Sequence, residues 1–217
     1  MTKQYYNKYF SVLGDSISTL IGFNPVGFDS YYKYEKCELS GVKNYEDTWW
    51  GQVIDALGGR LLVNNSWSGS LVTNHPDCRI PSYACSDKRT AGLGEGGVSP
   101  DVIMIYMGVN DSGCSVPING ANGDISCFKN AYETMIEKIR RNYPTAEIWC
   151  FTLCRAEGVD GGYLKDYCDA IRDCAEKAGC KLIELFNQPR AYETYSGVHP
   201  NAQGMKTIAE IVLEQVK

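Results

Sequence analysis

The stretch Tyr9-Phe10-Ser11-Val12-Leu13-Gly14-Asp15-Ser16-Ile17-Ser18 decides the fold. An apolar, β-prone run stops at Gly14, and a serine follows two residues later. A strand that breaks at glycine and gives way to a helix puts its next side chains at the carboxyl edge of a sheet, where open α/β folds bind their ligands. That edge is also a helix N-terminus, whose unpaired backbone N–H groups can hold an anion. Ser16 is therefore a candidate nucleophile. The alternative is that Asp15 or Ser16 simply caps the helix, as short polar residues do.

Downstream, the same grammar repeats. Residues 22 to 46 form an irregular segment rich in Gly, Tyr and Lys. A loop of that length in a compact domain is usually functional. Its tyrosines 31, 32, 34 and 45 could stack on a sugar, line an acyl pocket, or pack the loop onto the domain. A helix beginning at Asp47 or Thr48 carries Trp50, Val53, Ile54 and Leu57 at helical spacing and stops at Gly58-Gly59. Arg60 to Asn64 reads as the second strand, ending in the small polar turn 65–70 that contains Gly69. A short helix is expected near Cys85 to Ala91. Asp101 to Met107 is nearly continuous apolar sequence, the mark of a central parallel strand covered on both faces. It runs into Gly108-Val109-Asn110-Asp111. Phe128 to Ile139 keeps an amphipathic helical rhythm, and a strand follows from Glu147 to Leu153. A helix from Tyr163 to Ala178, a strand from Lys181 to Leu185, a loop carrying His199 and a last helix from about Ala202 complete the chain.

Strands alternating with helices imply parallel β-α-β units with right-handed crossovers. The expected architecture is α/β, a five-stranded doubly wound sheet with helices on both faces. The chain's 217 residues suit one domain over 1–217, with long active-site loops at about 22–47, 74–99 and 108–126.

Composition narrows the function. A net charge of −5 without a basic run argues against a nucleic-acid partner. No stretch has the apolar length of a membrane span. The N-terminus enters the first strand without the apolar core of a signal peptide, so a cytoplasmic location is expected unless a leader has been trimmed. The ten cysteines are scattered with no C-x-x-C pair, so a metal site is not expected. They read as small buried hydrophobes carrying thiols, although Cys78 with Cys85, or Cys114 with Cys127, could bridge loops in an oxidising compartment.

Ser16, Gly69, Asn110 and His199 all fall at or just beyond strand ends, and in a parallel sheet those ends share one edge. Each residue type has a job in acyl transfer. A serine hydroxyl needs a base, and histidine titrates where such a base should. The oxyanion formed on attack needs preorganised donors, which a glycine-turn N–H and an asparagine amide can supply. The chain has only two histidines, and His75 has no strand end beside it, so His199 is the better partner for Ser16.

Gly14-Asp15-Ser16, the block 64–69 ending in Gly69, Gly108-Val109-Asn110-Asp111 and Gly197-Val198-His199-Pro200-Asn201 together resemble the motif series of the SGNH or GDSL hydrolases, in order and over nearly the whole chain. The resemblance implies a flavodoxin-like three-layer α/β/α sandwich. It also implies Ser16 as nucleophile, His199 as general base and then acid, and an oxyanion hole of Ser16 N–H, Gly69 N–H and the Asn110 side chain. No G-x-S-x-G occurs, which argues against an ordinary α/β-hydrolase. One position departs from the family: where an aspartate usually stands three residues before the histidine, this chain has Ser196. Replacing that aspartate by asparagine costs a serine protease about 10⁴ in kcat. The Ser196 carbonyl or hydroxyl could fix the imidazole tautomer in a working dyad, the favoured arrangement. Glu193 could instead stand in, or the site could serve mainly for binding.

The leading expectation is a serine esterase acting on a small-molecule ester through an acyl-enzyme, without cofactor. The aromatic loop between Phe23 and Trp50 makes an acylated carbohydrate one candidate substrate. The alternative is a catalytically weak carbohydrate- or ligand-binding protein on the same scaffold. A flavodoxin-like electron carrier is disfavoured, because the first turn lacks a Gly-rich phosphate loop.

Overall fold

The computed structural model describes residues 3–76 and 83–216. Five strands, β1 (Tyr9–Gly14), β2 (Arg60–Ser66), β3 (Val102–Tyr106), β4 (Glu147–Phe151) and β5 (Lys181–Ile183), form a parallel sheet in the order β2-β1-β3-β4-β5. The apolar runs explain the centre: every residue of β3 is buried, and so is every residue of β1 after Tyr9. The chain passes outward from β1 to β2 and then returns across β1 to β3. That reversal is the topological switch point of a flavodoxin-type sheet, where such folds place ligands.

Among the described residues, seven α-helices accompany the sheet: α1 (Glu35–Ser40), α2 (Trp49–Leu57), α3 (Asp87–Ala91), α4 (Val109–Gly113), α5 (Phe128–Asn142), α6 (Lys165–Ala178) and α7 (Ala202–Val216). Helices α2 and α7 pack on one another, and α5 packs between α3 and α6. The result is the three-layer sandwich expected from the alternating pattern. Thr48 caps α2 by accepting from Gly51 N–H at 3.0 Å, as its position before the apolar rhythm predicts.

Several local expectations need correction. The helix expected after Gly14 is a single 3-10 turn, Ser16–Ser18. The 22–47 loop contains α1 and a 3-10 turn at Tyr45–Asp47, and the 108–126 loop opens with α4. The loop before the last helix holds a small antiparallel pair, β6 (Thr194–Ser196) and β7 (His199–Pro200). These elements are too short to show a period in sequence, and tertiary contacts hold them. Part of the 74–99 loop, and Cys78 with it, lies outside the described residues. Cys85 and Cys127 carry free thiols, so neither considered disulfide forms. Among the described residues, no helix is long and apolar enough to cross a membrane.

Candidate active site

The end of β1 is built for a tight approach. A Cβ on Gly14 would lie 2.6 Å from Ser18 Cβ and 2.7 Å from Ser66 Oγ, so only glycine lets the next turn fold back over the strand end. Asp15 caps that turn, its Oδ1 accepting from Ile17 N–H at 3.0 Å. Thr19 closes it, its hydroxyl donating to the Ser16 carbonyl at 2.8 Å. Ser18 is then riveted to the body: the Trp49 and Trp50 indoles donate to its hydroxyl and carbonyl at 3.1 and 3.0 Å, and the Asn64 amide donates to the same carbonyl. Ser16 is left 5% exposed at the sheet edge. Burial pushes the neighbouring Asp15 carboxyl up to about 7, with Asp111 adding to the rise and Arg89 and backbone donors opposing it.

His199 reaches Ser16 from the β6–β7 hairpin, which reverses through Gly197 at φ +55°. His199 Nε2 lies 2.9 Å from Ser16 Oγ. Its Nδ1 lies 3.2 Å from the Ser196 carbonyl oxygen, an acceptor only, so the proton is assigned to Nδ1 and Nε2 is left to accept from the serine. Ser196 thus contributes its backbone carbonyl. Glu193 takes no part in holding the ring: its carboxylate accepts from Asn201 Nδ2 at 3.1 Å. The 22–47 loop supplies the rest of the imidazole's surroundings. Tyr31 lies flat on the ring, with centroids 3.4 Å apart and planes 5° apart, and the Lys36 ammonium sits 3.9 Å from the centroid of Tyr31. Burial holds the His199 imidazole down at about 4; the Ser196 carbonyl works against this and the Lys36 charge adds to it. With no carboxylate partner beside the ring, it is the Ser196 carbonyl that favours the imidazolium.

The remaining predicted residues also gather here. Gly69 occupies a turn at φ +79°, a backbone that side-chain-bearing residues rarely adopt. Asn110 lies in the first turn of α4, where its Nδ2 donates to the Ser70 carbonyl at 2.9 Å, tying the amide to the Gly69 turn. Among the described residues, neither the Ser16 nor the Gly69 backbone N–H donates to a protein acceptor. The next residue, Asp111, is fully buried and accepts from Val72 N–H, Thr73 N–H and the Thr73 hydroxyl at 2.9, 3.2 and 2.9 Å. These bonds brace the chain just beyond the Gly69 turn.

Sequence reasoning missed the residue under this floor. Arg89 is wholly buried, donating to Asn65 Oδ1, Ser70 Oγ, Gly14 O and Asn65 O at 2.6 to 3.1 Å. One guanidinium thereby joins the ends of β1 and β2 to the Gly69 turn. A lone arginine in a polar segment carries no signal of burial, so only the fold reveals it. Among the described residues, no three His, Cys, Asp or Glu side chains gather as a metal site requires.

The family model described as GDSL-like lipase/acylhydrolase matches residues 8–216. A solved structure described as a GDSL-like lipase from Bacteroides uniformis ATCC 8492 is 28% identical, with a TM-score of 0.77, over 97% of this chain and 95% of that one. A family two carbohydrate esterase from Clostridium thermocellum, solved with cellohexaose, shares the fold at 20% identity and a TM-score of 0.66, over 99% of this chain and 65% of that one. Among curated proteins, the cellulase/esterase CelE of Acetivibrio thermocellus is 26% identical over 121 residues, which is 54% of this chain. The match spans 14% of that relative's length.

Proposed function

The chain belongs to the GDSL-like lipase/acylhydrolase family, whose members hydrolyse esters, and from that premise we propose a serine esterase that removes acyl groups from carbohydrate oxygens through a Ser16–His199 dyad. The observation that carries this reading is the 2.9 Å approach of His199 Nε2 to Ser16 Oγ, in the tautomer that the Ser196 carbonyl selects.

With His199 neutral at physiological pH, Nε2 takes the Ser16 proton as Oγ attacks the acyl carbon. Negative charge develops on the acyl oxygen, toward which Ser16 N–H, Gly69 N–H and Asn110 Nδ2 can donate. The imidazolium, its Nδ1–H still on Ser196 O, returns the proton to the departing alcohol oxygen. Water then enters, His199 removes a proton from it, and collapse of the second tetrahedral intermediate frees the acid and Ser16. A carbonyl dipole stabilises the imidazolium less than a carboxylate would, but it fixes the tautomer equally well. Loss of the correct tautomer is what makes the Asp-to-Asn change so costly in serine proteases.

Carbohydrate is favoured as the acyl carrier by the aromatic rim. Half-buried Phe28 stacks on Trp67 at 4.1 Å, two residues before Gly69, and half-buried Tyr195 stands beside Tyr31 on the hairpin. The description of one fold relative as a carbohydrate esterase, and of the curated relative as a cellulase/esterase, points the same way. The test is labelling with a fluorophosphonate probe, followed by hydrolysis of p-nitrophenyl acetate and of an acetylated xylan. Labelling and turnover that disappear in Ser16→Ala support the reading; a wild-type protein that neither labels nor turns over either ester overturns it. Release of acetate from the p-nitrophenyl ester but not from the polysaccharide would remove the carbohydrate part alone.

A further inference from the structure

The dyad lacks the carboxylate that would orient its base, yet the imidazole is held. Two hydrogen bonds, at Nδ1 and Nε2, tether two atoms of the ring. They do not fix its tilt about the line joining those atoms. What sets the tilt is the surface covering the ring's face, and that surface is Tyr31, parallel to within 5° at 3.4 Å.

Tyr31 is itself pinned from several directions. Its backbone N–H donates to Thr19 Oγ1 at 2.8 Å, and the Thr19 hydroxyl donates to the Ser16 carbonyl at 2.8 Å. One threonine hydroxyl thus ties the residue under the base to the residue that carries the nucleophile. The adjacent Tyr32 hydroxyl donates to the Pro200 carbonyl at 2.7 Å, anchoring the same loop to the residue after His199. On the far face of Tyr31 stands the Lys36 ammonium, brought there by a reversal at Tyr34, which adopts φ 50° and ψ −126°. A tyrosine rarely holds such a backbone unless surrounding contacts require it. With His199 on one face and Lys36 on the other, neither face of Tyr31 is open to a sugar, so substrate stacking does not account for it.

We propose that Tyr31 is the positioning residue of this dyad, its ring fixing the plane of the His199 imidazole in place of the missing carboxylate. The inference rests on the esterase reading above. The stack acts on a base that already has its tautomer, so it concerns the angle at which Nε2 meets Ser16 Oγ rather than the proton count. The aromatic face also lies against the ring in which positive charge develops as the serine proton is taken, an arrangement that attracts a cation.

The test is the pair Tyr31→Phe and Tyr31→Leu, assayed on p-nitrophenyl acetate and read by the NMR signals of the histidine ring protons. Phe keeps the stack, so kcat stays within about twofold of wild type, whereas Leu loses it and kcat falls about 10- to 100-fold, the scale of an ångström-level misplacement. KM for this small ester stays nearly constant in both. Stacking places the His199 ring protons in the shielding cone of Tyr31, so their signals lie upfield in wild type and Tyr31→Phe and move downfield in Tyr31→Leu. With only two histidines in the chain, a His75→Gln variant assigns them. Full kcat in Tyr31→Leu, a loss confined to KM, or a loss shared equally by Phe and Leu would each overturn the proposal. An upfield His199 signal in a protein without esterase turnover would instead overturn the esterase reading while leaving the stack in place.

Discussion

The turn that carries Ser16 and the hairpin that carries His199 meet at 2.9 Å, but they are held in opposite ways. The turn is local: Gly14 permits it, Asp15 caps it and Thr19 closes it, and its neighbours along the sheet edge complete the frame. The hairpin keeps its own shape through bonds such as that from the Tyr192 hydroxyl to the Val198 carbonyl at 2.7 Å. Its position depends on partners far away in sequence, including Tyr32, 168 residues before Pro200, and Tyr31 on the ring itself. The nucleophile therefore inherits its geometry from the sheet, while the base borrows its geometry from a loop. Disturbing the 22–47 loop should impair the base first and leave the serine where it is.

The largest break in that comparison is removal of the base. His199→Gln should cost kcat on the order of 10⁴-fold or more, as loss of one dyad member does in serine hydrolases, with the melting temperature shifted by only a few degrees. Steady-state assays on p-nitrophenyl acetate and a thermal melt check both halves. Next is the oxyanion donor: Asn110→Ala should lower kcat about 10²- to 10³-fold with little change in KM. An unchanged kcat would remove Asn110 from the oxyanion hole.

The frame beneath the serine is tested through stability. Arg89→Met leaves buried acceptors on Gly14, Asn65 and Ser70 without their donor, which should lower unfolding stability by about 1–3 kcal/mol or more. Urea denaturation measures this, and activity should fall with it, since the same arginine joins both strand ends to the Gly69 turn.

The smallest effects concern pH. Burial holds His199 down at about 4, and the base works only when neutral, so the acid limb of kcat/KM that belongs to the base should lie near that value rather than near neutrality. Ser196→Asp places a carboxylate beside the ring, favours the imidazolium and should move this acid limb upward by about 1–3 units, with turnover at pH 8 kept or raised. Lys36→Gln removes a charge that opposes the imidazolium and should move the limb the same way by less. A limb that moves downward in either variant would contradict the electrostatics described here. A large loss at pH 8 in Ser196→Asp would give the serine a specific role.

The residues of the candidate site were legible because each follows a strand signal. Ser16 comes after an apolar run stopped at glycine, and Asn110 after the most continuous apolar run in the chain. The aromatic loop was legible only as a choice between stacking on substrate and packing. The structure divides the tyrosines: Tyr32 is buried, Tyr45 packs against Phe23 and Trp50, Tyr31 covers the base, and Tyr34 is exposed. The hairpin at 194–200 and the short α4 were hidden because three to five residues cannot display a period.

From sequence alone come the α/β class, the strand ends, and the serine, glycine, asparagine and histidine that share an edge. These follow from hydrophobic period and turn chemistry, which act between near neighbours. Only the tertiary structure decides that the Ser196 carbonyl and not Glu193 holds Nδ1, that Arg89 is buried beneath the floor, and that Tyr31 lies on the imidazole. Those outcomes depend on which distant surfaces meet, and no local pattern of residues encodes that.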